Sequence, residues 1–190
     1  MLKKILVGLA ILLVVFGVVV AMQPNEFKVQ RSATMVASPQ AIFEHVNDQH
    51  KFQEWNPWMK LDPNVKTTYS GPESGVGSVC SWQGDSNVGA GASTVIESKP
   101  NELVRFRMDW KEPMSGTSTV DFTFKPEGDK TLVTWDMYGP NNFMGKVMGL
   151  FINYDKMCGD QFEKGLANLG EVAQKPKKSA GIDPSDSKTP

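Results

Sequence analysis

Residues 103–138 read LVRFRMDWKEPMSGTSTVDFTFKPEGDKTLVTWDMY, and their alternation decides the fold. In an extended chain Val104, Phe106, Met108 and Trp110 fall on one side, with Arg105, Arg107 and Asp109 on the other. Val120, Phe122 and Phe124 repeat the pattern against Asp121 and Lys125. Val133, Trp135 and Met137 repeat it against Asp136 and Tyr138. Glu112-Pro113 and Glu127-Gly128-Asp129 separate the three runs at hairpin spacing. Successive strands joined by tight turns pair antiparallel, and an antiparallel sheet with one apolar face needs a cover.

Upstream, the same period predicts strands over 65–70, 77–83 and 90–98, divided by Gly71-Pro72, Gly84-Asp85 and Lys99-Pro100-Asn101. On these strands Cys80 and Trp82 are read as inward, and so are Ala90, Ala92, Thr94 and Ile96. A further strand over 27–36 ends at Ser38-Pro39, an N-cap followed by a first-turn proline, and Ile42, Phe43 and Val46 give the next helix its apolar stripe. Residues 50–64 (HKFQEWNPWMKLDPN) hold two tryptophans and two prolines and predict no single regular element. Beyond Pro140 the period turns helical, and Met157, Phe162, Leu166 and Leu169 mark a C-terminal helix that ends near Ala173.

Residues 5–22 (ILVGLAILLVVFGVVVAM) contain no polar side chain. As a helix they extend roughly 27 Å, close to the ~30 Å hydrocarbon core of a bilayer. Lys3 and Lys4 precede the block and place the domain on the extracytoplasmic side (periplasmic or extracellular), against the weaker pull of Lys28 and Arg31 beyond it. Two readings stay open: a single-pass anchor, or a signal peptide cleaved after Val19-Val20-Ala21. The chain divides into the anchor over 1–24, one core-forming unit over 25–174 and a disordered polar tail over 175–190.

The full chain carries a net charge of −1, and residues 25–174 hold 14 Lys plus Arg against 19 Asp plus Glu. That balance excludes a generally basic nucleic-acid binder. His45 and His50 have no Cys, Asp or His at ligand spacing, so no metal site is expected. Gly89-Ala90-Gly91 is too short for a phosphate loop, and no cofactor is implied. Cys80 and Cys158, one on a strand and one on the covering helix, are read either as separate buried thiols or as a disulfide pair.

Several motifs carry a family resemblance. They are Ser38-Pro39-Gln40-Ala41-Ile42-Phe43, Phe52-x-x-Trp55-x-Pro57-Trp58 with Asp62-Pro63, Gly75-x-Gly77, and Gly159-Asp160-Gln161-Phe162-Glu163-Lys164-Gly165-Leu166-x-x-Leu169. With the element order they resemble the START-like, or SRPBCC, superfamily and within it the polyketide cyclase/dehydrase-like branch. The resemblance covers 27–173. It implies an α+β helix-grip fold: a curved antiparallel sheet of about seven strands wrapped on a long C-terminal α-helix, here preceded by a transmembrane helix. It also implies a hydrophobic cavity between helix and sheet.

Strand alternation and the motifs then give a lining. The sheet offers Cys80, Trp82, Ala92, Thr94, Phe106 and Met108, and further along Trp110, Phe122, Trp135 and Met137. Trp55 and Trp58 stand at the mouth, with Phe162 and Leu166 on the helix. Every charge in this tally faces out, so the inner face provides no general acid or base and no catalytic residue is named. The leading expectation is a membrane-tethered binder or carrier of a small hydrophobic ligand, lipid or polyketide-like, without covalent chemistry. A polyketide cyclase/dehydrase-like enzyme requires an inward carboxylate, histidine or arginine. A partner-binding module uses the outer face of Arg105, Arg107 and Asp109. Residues 142–151 (NFMGKVMGLF) are a second candidate for the mouth, as a gate or as an amphipathic piece touching the bilayer.

Overall fold

Ser38 stops the first strand as its sequence context predicts. Its Oγ accepts from the Ala41 N–H at 3.2 Å, and Pro39 takes the first helical position. The computed structural model describes residues 1–174; the predicted tail over 175–190 lies outside the described residues. The chain runs α1 (Leu2–Ala21), β1 (Glu26–Met35), α2 (Pro39–Asn47), α3 (Gln49–Trp55) and a 3-10 turn (Pro57–Lys60). Next come β2 (Lys66–Ser70), β3 (Val79–Gln83), β4 (Ala90–Lys99), β5 (Leu103–Glu112), β6 (Gly116–Glu127) and β7 (Lys130–Pro140). Two helices follow, α4 (Phe143–Gly149) and α5 (Tyr154–Gln174).

All seven strands form one antiparallel sheet in the order β1-β7-β6-β5-β4-β3-β2. Only the first strand leaves sequence order, crossing by way of α2, α3 and β2–β6 to pair with the last. Hairpins build the rest. Gly75 and Gly77 lead into β3 with φ of 78° and 89°, a conformation that explains glycine at both motif positions.

The stretch 50–64, predicted to hold no single regular element, contains most of α3 and the whole 3-10 turn. Two caps make this possible: Asp48 Oδ1 accepts from the His50 and Lys51 N–H groups, and Asn56 Oδ1 accepts from Trp58 N–H. Trp55 is fully buried, its indole N–H donates to the His45 carbonyl at 3.0 Å, and its own carbonyl accepts from Asn168 of α5 at 3.0 Å. The Trp55–Pro57–Trp58 stretch thus pins α2 and α5 together.

The core lies between the concave face of the sheet and α2, α3 and α5. Helix α5 packs chiefly on β1, while α2 lies against β5 and β6. The buried side of α5 is Phe162, Leu166, Leu169 and Ala173 together with Gly159, Gly165 and Gly170, and the neighbours come closest at Gly159 and Gly165. Met157, read as part of this stripe, is exposed, because the buried stripe enters the first turns through Cys158 and Gly159 and position 157 stands off that face.

The inward sets of β5, β6 and β7 stand as the alternation predicts. The set assigned to β4 is inverted. Ser93 and Val95 are the buried residues, and Ser93 lies opposite Cys80 on one side and Met108 on the other. Ala92 and Thr94 therefore stand on the convex face. A bulge between Val95 and Glu97 leaves Ile96 unpaired and exposed, so the most apolar marker of the strand's phase is the extra residue. Ala90 is buried all the same.

Candidate functional site

The register divides the concave face into two halves. In the first, Val104, Phe122, Trp135 and Arg31 follow one another across β5, β6, β7 and β1. Beside them runs the row Val95, Phe106, Val120, Met137 and Val29. The helices fill the space above these rows with rings. Trp135 stacks on Phe162 with centroids 4.2 Å apart and planes 7° from parallel. Phe122 lies 4.7 Å away, Trp55 5.6 Å and Trp58 6.0 Å. Seven residues of the predicted lining, Trp55, Phe106, Phe122, Trp135, Met137, Phe162 and Leu166, thus belong to one packed core. The helix–sheet space expected to be a cavity is closed there by aromatic packing.

The second half lies toward the strand ends that hold Trp110 and Gly116. Here the rows are Cys80, Ser93, Met108 and Ser118, then Trp82, Gly91, Trp110 and Gly116. Trp82, Met108 and Trp110 are only half-buried. Gly91 and Gly116 flank Trp110 in the register, and Gly91 makes room for Trp82. A Cβ on Gly91 would come within 2.7 Å of the Trp82 ring, which lies across that position and meets Trp110 edge-on at 5.6 Å. Trp110 Nε1–H donates to Ser118 Oγ at 2.9 Å, which fixes the ring and satisfies its polar atom. Trp58 is half-buried too, at the junction of the two halves against Trp135 and Phe162.

Helix α3 closes one side with amides. Gln49, 1% exposed, donates to the Ser93 carbonyl and accepts from Ser93 Oγ at 3.2 Å. Gln53, one turn on, donates to Cys80 Sγ at 3.5 Å and accepts from Asn56. Burial pushes the Cys80 thiol up to about 11, so it is neutral and a poor nucleophile. Cys158 is raised by the same cause, and both cysteines are free thiols. His45 is held below its ordinary value, chiefly by burial, and its Nδ1 has no hydrogen-bond partner.

Arg31 corrects the charge-free inner face. It occupies the helix-facing side of β1, next to Trp135 in the register. Its guanidinium does not point free into the interior. It lies against Gly159 of α5, donating from Nε to Glu163 at 2.9 Å and from Nη1 and Nη2 to the Asp155 carboxylate at 3.0 Å. Both carboxylates raise the Arg31 pKa, and Arg31 in turn holds Asp155 below the usual carboxylate range. The arrangement is a strap between sheet and helix, and it explains glycine at position 159. No cluster of three or more His, Cys, Asp or Glu able to hold a metal occurs among the described residues.

Sequence reasoning missed Arg31, Gln49, Gln53, Ser93 and Ser118. Gln49 and Gln53 share an i, i+4 face that could be read only once α3 was known to be a helix. Ser93 was hidden by the phase error in β4. On the convex face Arg105 is bound bidentately by Asp121 (2.7 and 2.8 Å) and by Glu97 (2.7 Å), and Arg107 pairs with Asp109 at 2.9 Å.

Residues 26–174 match the family model described as polyketide cyclase / dehydrase and lipid transport. No curated protein matches the chain in sequence. Solved structures share the fold at low identity. A Chromobacterium violaceum protein is 14% identical, with 81% of this chain and 100% of that chain covered and a TM-score of 0.57. The Aha1 dimer from Colwellia psychrerythraea is 16% identical, with 80% and 98% covered and a TM-score of 0.57. The ginseng major latex-like protein 151 from Panax ginseng is 12% identical, with 80% and 100% covered and a TM-score of 0.57. These likenesses establish the SRPBCC-type helix-grip architecture.

Proposed function

The chain belongs to the polyketide cyclase / dehydrase and lipid transport family, and from that premise we propose a membrane-tethered domain that binds or carries a small hydrophobic ligand without covalent chemistry. The observation that carries the reading is the open half of the concave face. Trp82, Met108 and Trp110 form a half-buried apolar surface whose neighbours are Cys80, Ser93, Ser118 and two glycines, none of them charged. Such a surface suits a lipid or polyketide-like molecule recognised by shape and apolar area. The two hydroxyls and the neutral thiol beside it are buried, with both hydroxyls hydrogen-bonded within the protein, and bring no acid–base chemistry.

The closed half supports a limited ligand size. Filling it with Trp55, Phe122, Trp135 and Phe162 leaves the ligand on the β3–β5 side. The enzyme alternative needs an inward carboxylate, histidine or arginine. Beside Trp135 the sheet supplies Arg31, which is already committed to Asp155 and Glu163. The partner-module alternative rests on Arg105, Arg107 and Asp109, whose charges are matched on the sheet itself.

Helix α1 supports the tether. It is 20 residues long with a mean hydropathy of 2.8, and Val20 is its only buried residue. Lys3 and Lys4 in its first turn, ahead of the apolar run, favour an extracytoplasmic domain.

A fluorescent fatty acid, dansyl-undecanoic acid, tests the site through energy transfer from tryptophan in the full-length protein. Saturable binding is expected, with affinity reduced about tenfold or more in Trp110→Ala, since losing a buried ring contact removes roughly 1.5–3 kcal/mol. Absence of saturable binding to the wild type, or unchanged affinity in a folded Trp110→Ala variant, overturns the reading.

A further inference from the structure

Helix α4 has no buried residue. A seven-residue helix is too short to persist on propensity alone and draws its stability from tertiary contacts. Here the core gives it none, yet its side chains are apolar. Phe143 is 66% exposed, Met144 51%, and Phe151 just beyond it 77%. Over residues 141–154 the only charged side chain is Lys146. A contiguous apolar surface of this kind on a water-facing domain marks a contact with something else.

Its position says what that is. Met22–Asn25 is all that separates α1 from β1, and the start of the α4 segment is tied to those four residues. Asn141 N–H donates to the Asn25 carbonyl at 2.7 Å, Asn141 Nδ2 to the Pro24 carbonyl at 3.1 Å, and Lys146 Nζ to Asn25 Oδ1 at 2.7 Å. Val20, the one buried residue of α1, lies beside Asn141, Phe143 and Lys146 across a shallow cleft of about 230 Å³. The exposed apolar residues are therefore held level with the end of a helix long enough to cross a bilayer.

We propose that α4 and the turn after it, with Phe143, Met144 and Phe151 as the inserted side chains, lie in the interface of the bilayer that α1 spans. The domain is then docked on the membrane rather than swinging from its anchor. Lys146 sits where its stem crosses the apolar layer and its ammonium reaches the headgroup level. The sheet register adds a consequence. Glu26 pairs with Pro140 at one end of the strands, and Thr119 with Tyr138 just before it. Gly116, opposite Trp110, lies three residues beyond Thr119 toward that same end. The open half of the concave face thus borders the membrane side, and an apolar ligand passes between the bilayer and Trp110 along a short path.

This inference rests on the tether proposed above, and the test separates the two. p-Benzoylphenylalanine is placed at Phe143, at Phe151, at Leu13 inside α1 and at Lys130 in the far β6–β7 turn. The full-length protein is held in nanodiscs of phosphatidylcholine and phosphatidylglycerol, irradiated, and its lipid adducts are read by mass spectrometry. All four positions are exposed, so folding is preserved. Adducts at 143 and 151 in yield comparable to 13, with none at 130, are expected. Adducts at 13 but not at 143 or 151 overturn the docking and leave the tether standing. No adduct at 13 overturns both.

Discussion

Two glycines five residues apart on α5 respond to alanine with opposite signs. At Gly165 an added Cβ would lie 2.6 Å from Trp135 Cζ3 and 3.2 Å from Pro57 Cδ. Neither neighbour can yield: Trp135 is stacked on Phe162 and hemmed by Phe122 and Trp55, and Pro57 is a rigid ring in a capped turn. Overpacking of this kind costs about 1–3 kcal/mol. Replacing a mid-helix glycine returns about 0.8–1.0 kcal/mol of propensity. The difference is a destabilisation of up to about 2 kcal/mol. Because the 2.6 Å approach to a locked ring calls for the upper part of the overpacking range, Gly165→Ala is destabilising by about 1–2 kcal/mol, a Tm fall of roughly 2–8 °C for a chain of this size. At Gly170 the nearest atoms to an added Cβ are Met35 Cγ at 3.6 Å and Gln174 Nε2 at 3.8 Å, ordinary contact distances. There the propensity gain stands nearly alone, and Gly170→Ala raises the Tm by about 2–4 °C. Thermal unfolding of the full chain in mild detergent, followed by near-ultraviolet circular dichroism, reads both. A Gly165→Ala protein as stable as wild type would refute the claim that this half of the interior is filled, and so would equal destabilisation at both positions.

Arg31→Gln lowers stability at neutral pH by breaking the strap to Asp155 and Glu163. Because Arg31 depresses the Asp155 pKa below 3.8, that stabilisation is complete above the unfolded value and fades as pH falls through the folded one. The stability gap between variant and wild type in urea melts must narrow in acid, and a gap constant down to pH 2 contradicts the strap. Cys80, with its pKa raised from 9.0 to about 11, stays unmodified by iodoacetamide at pH 8 in the folded chain. The folded state holds that proton more tightly than the unfolded one, so the site costs up to about 1.4 kcal/mol of stability per pH unit across that window. Rapid alkylation of Cys80 without unfolding is the opposing result.

The legible parts of the fold were those where one rule acted without competition. In β5, β6 and β7 large apolar residues alternate with charges, so each inward set follows from period two alone. Strand β4 reads AGASTVI over 90–96, where small residues carry little phase information and Val95 and Ile96 are adjacent. A bulge resolves that adjacency, and no local signal says which of the two it expels. Residues 50–64 were opaque because Asp48 and Asn56 cap two short helical pieces inside a stretch that composition marks as irregular. Arg31 was left out of the inner-face tally altogether. Alternation places it inward, but the two carboxylates that make this tolerable lie more than 120 positions away on α5. The lining residues read from β3, β5, β6 and β7 share one face, while Ala92 and Thr94 of β4 stand on the other. Which of them pack as core and which stay open depends on where α5 stops covering the sheet, a tertiary fact.

The proposal of a bound hydrophobic ligand is tested most directly by native mass spectrometry of the full-length protein, gently released from its own membranes. A reproducible adduct is predicted, of a mass fitting a lipid or polyketide-like molecule and absent from Trp110→Ala, on a chain that retains α1. A clean apo mass for the wild type, with α1 still attached and the fold intact, would contradict it.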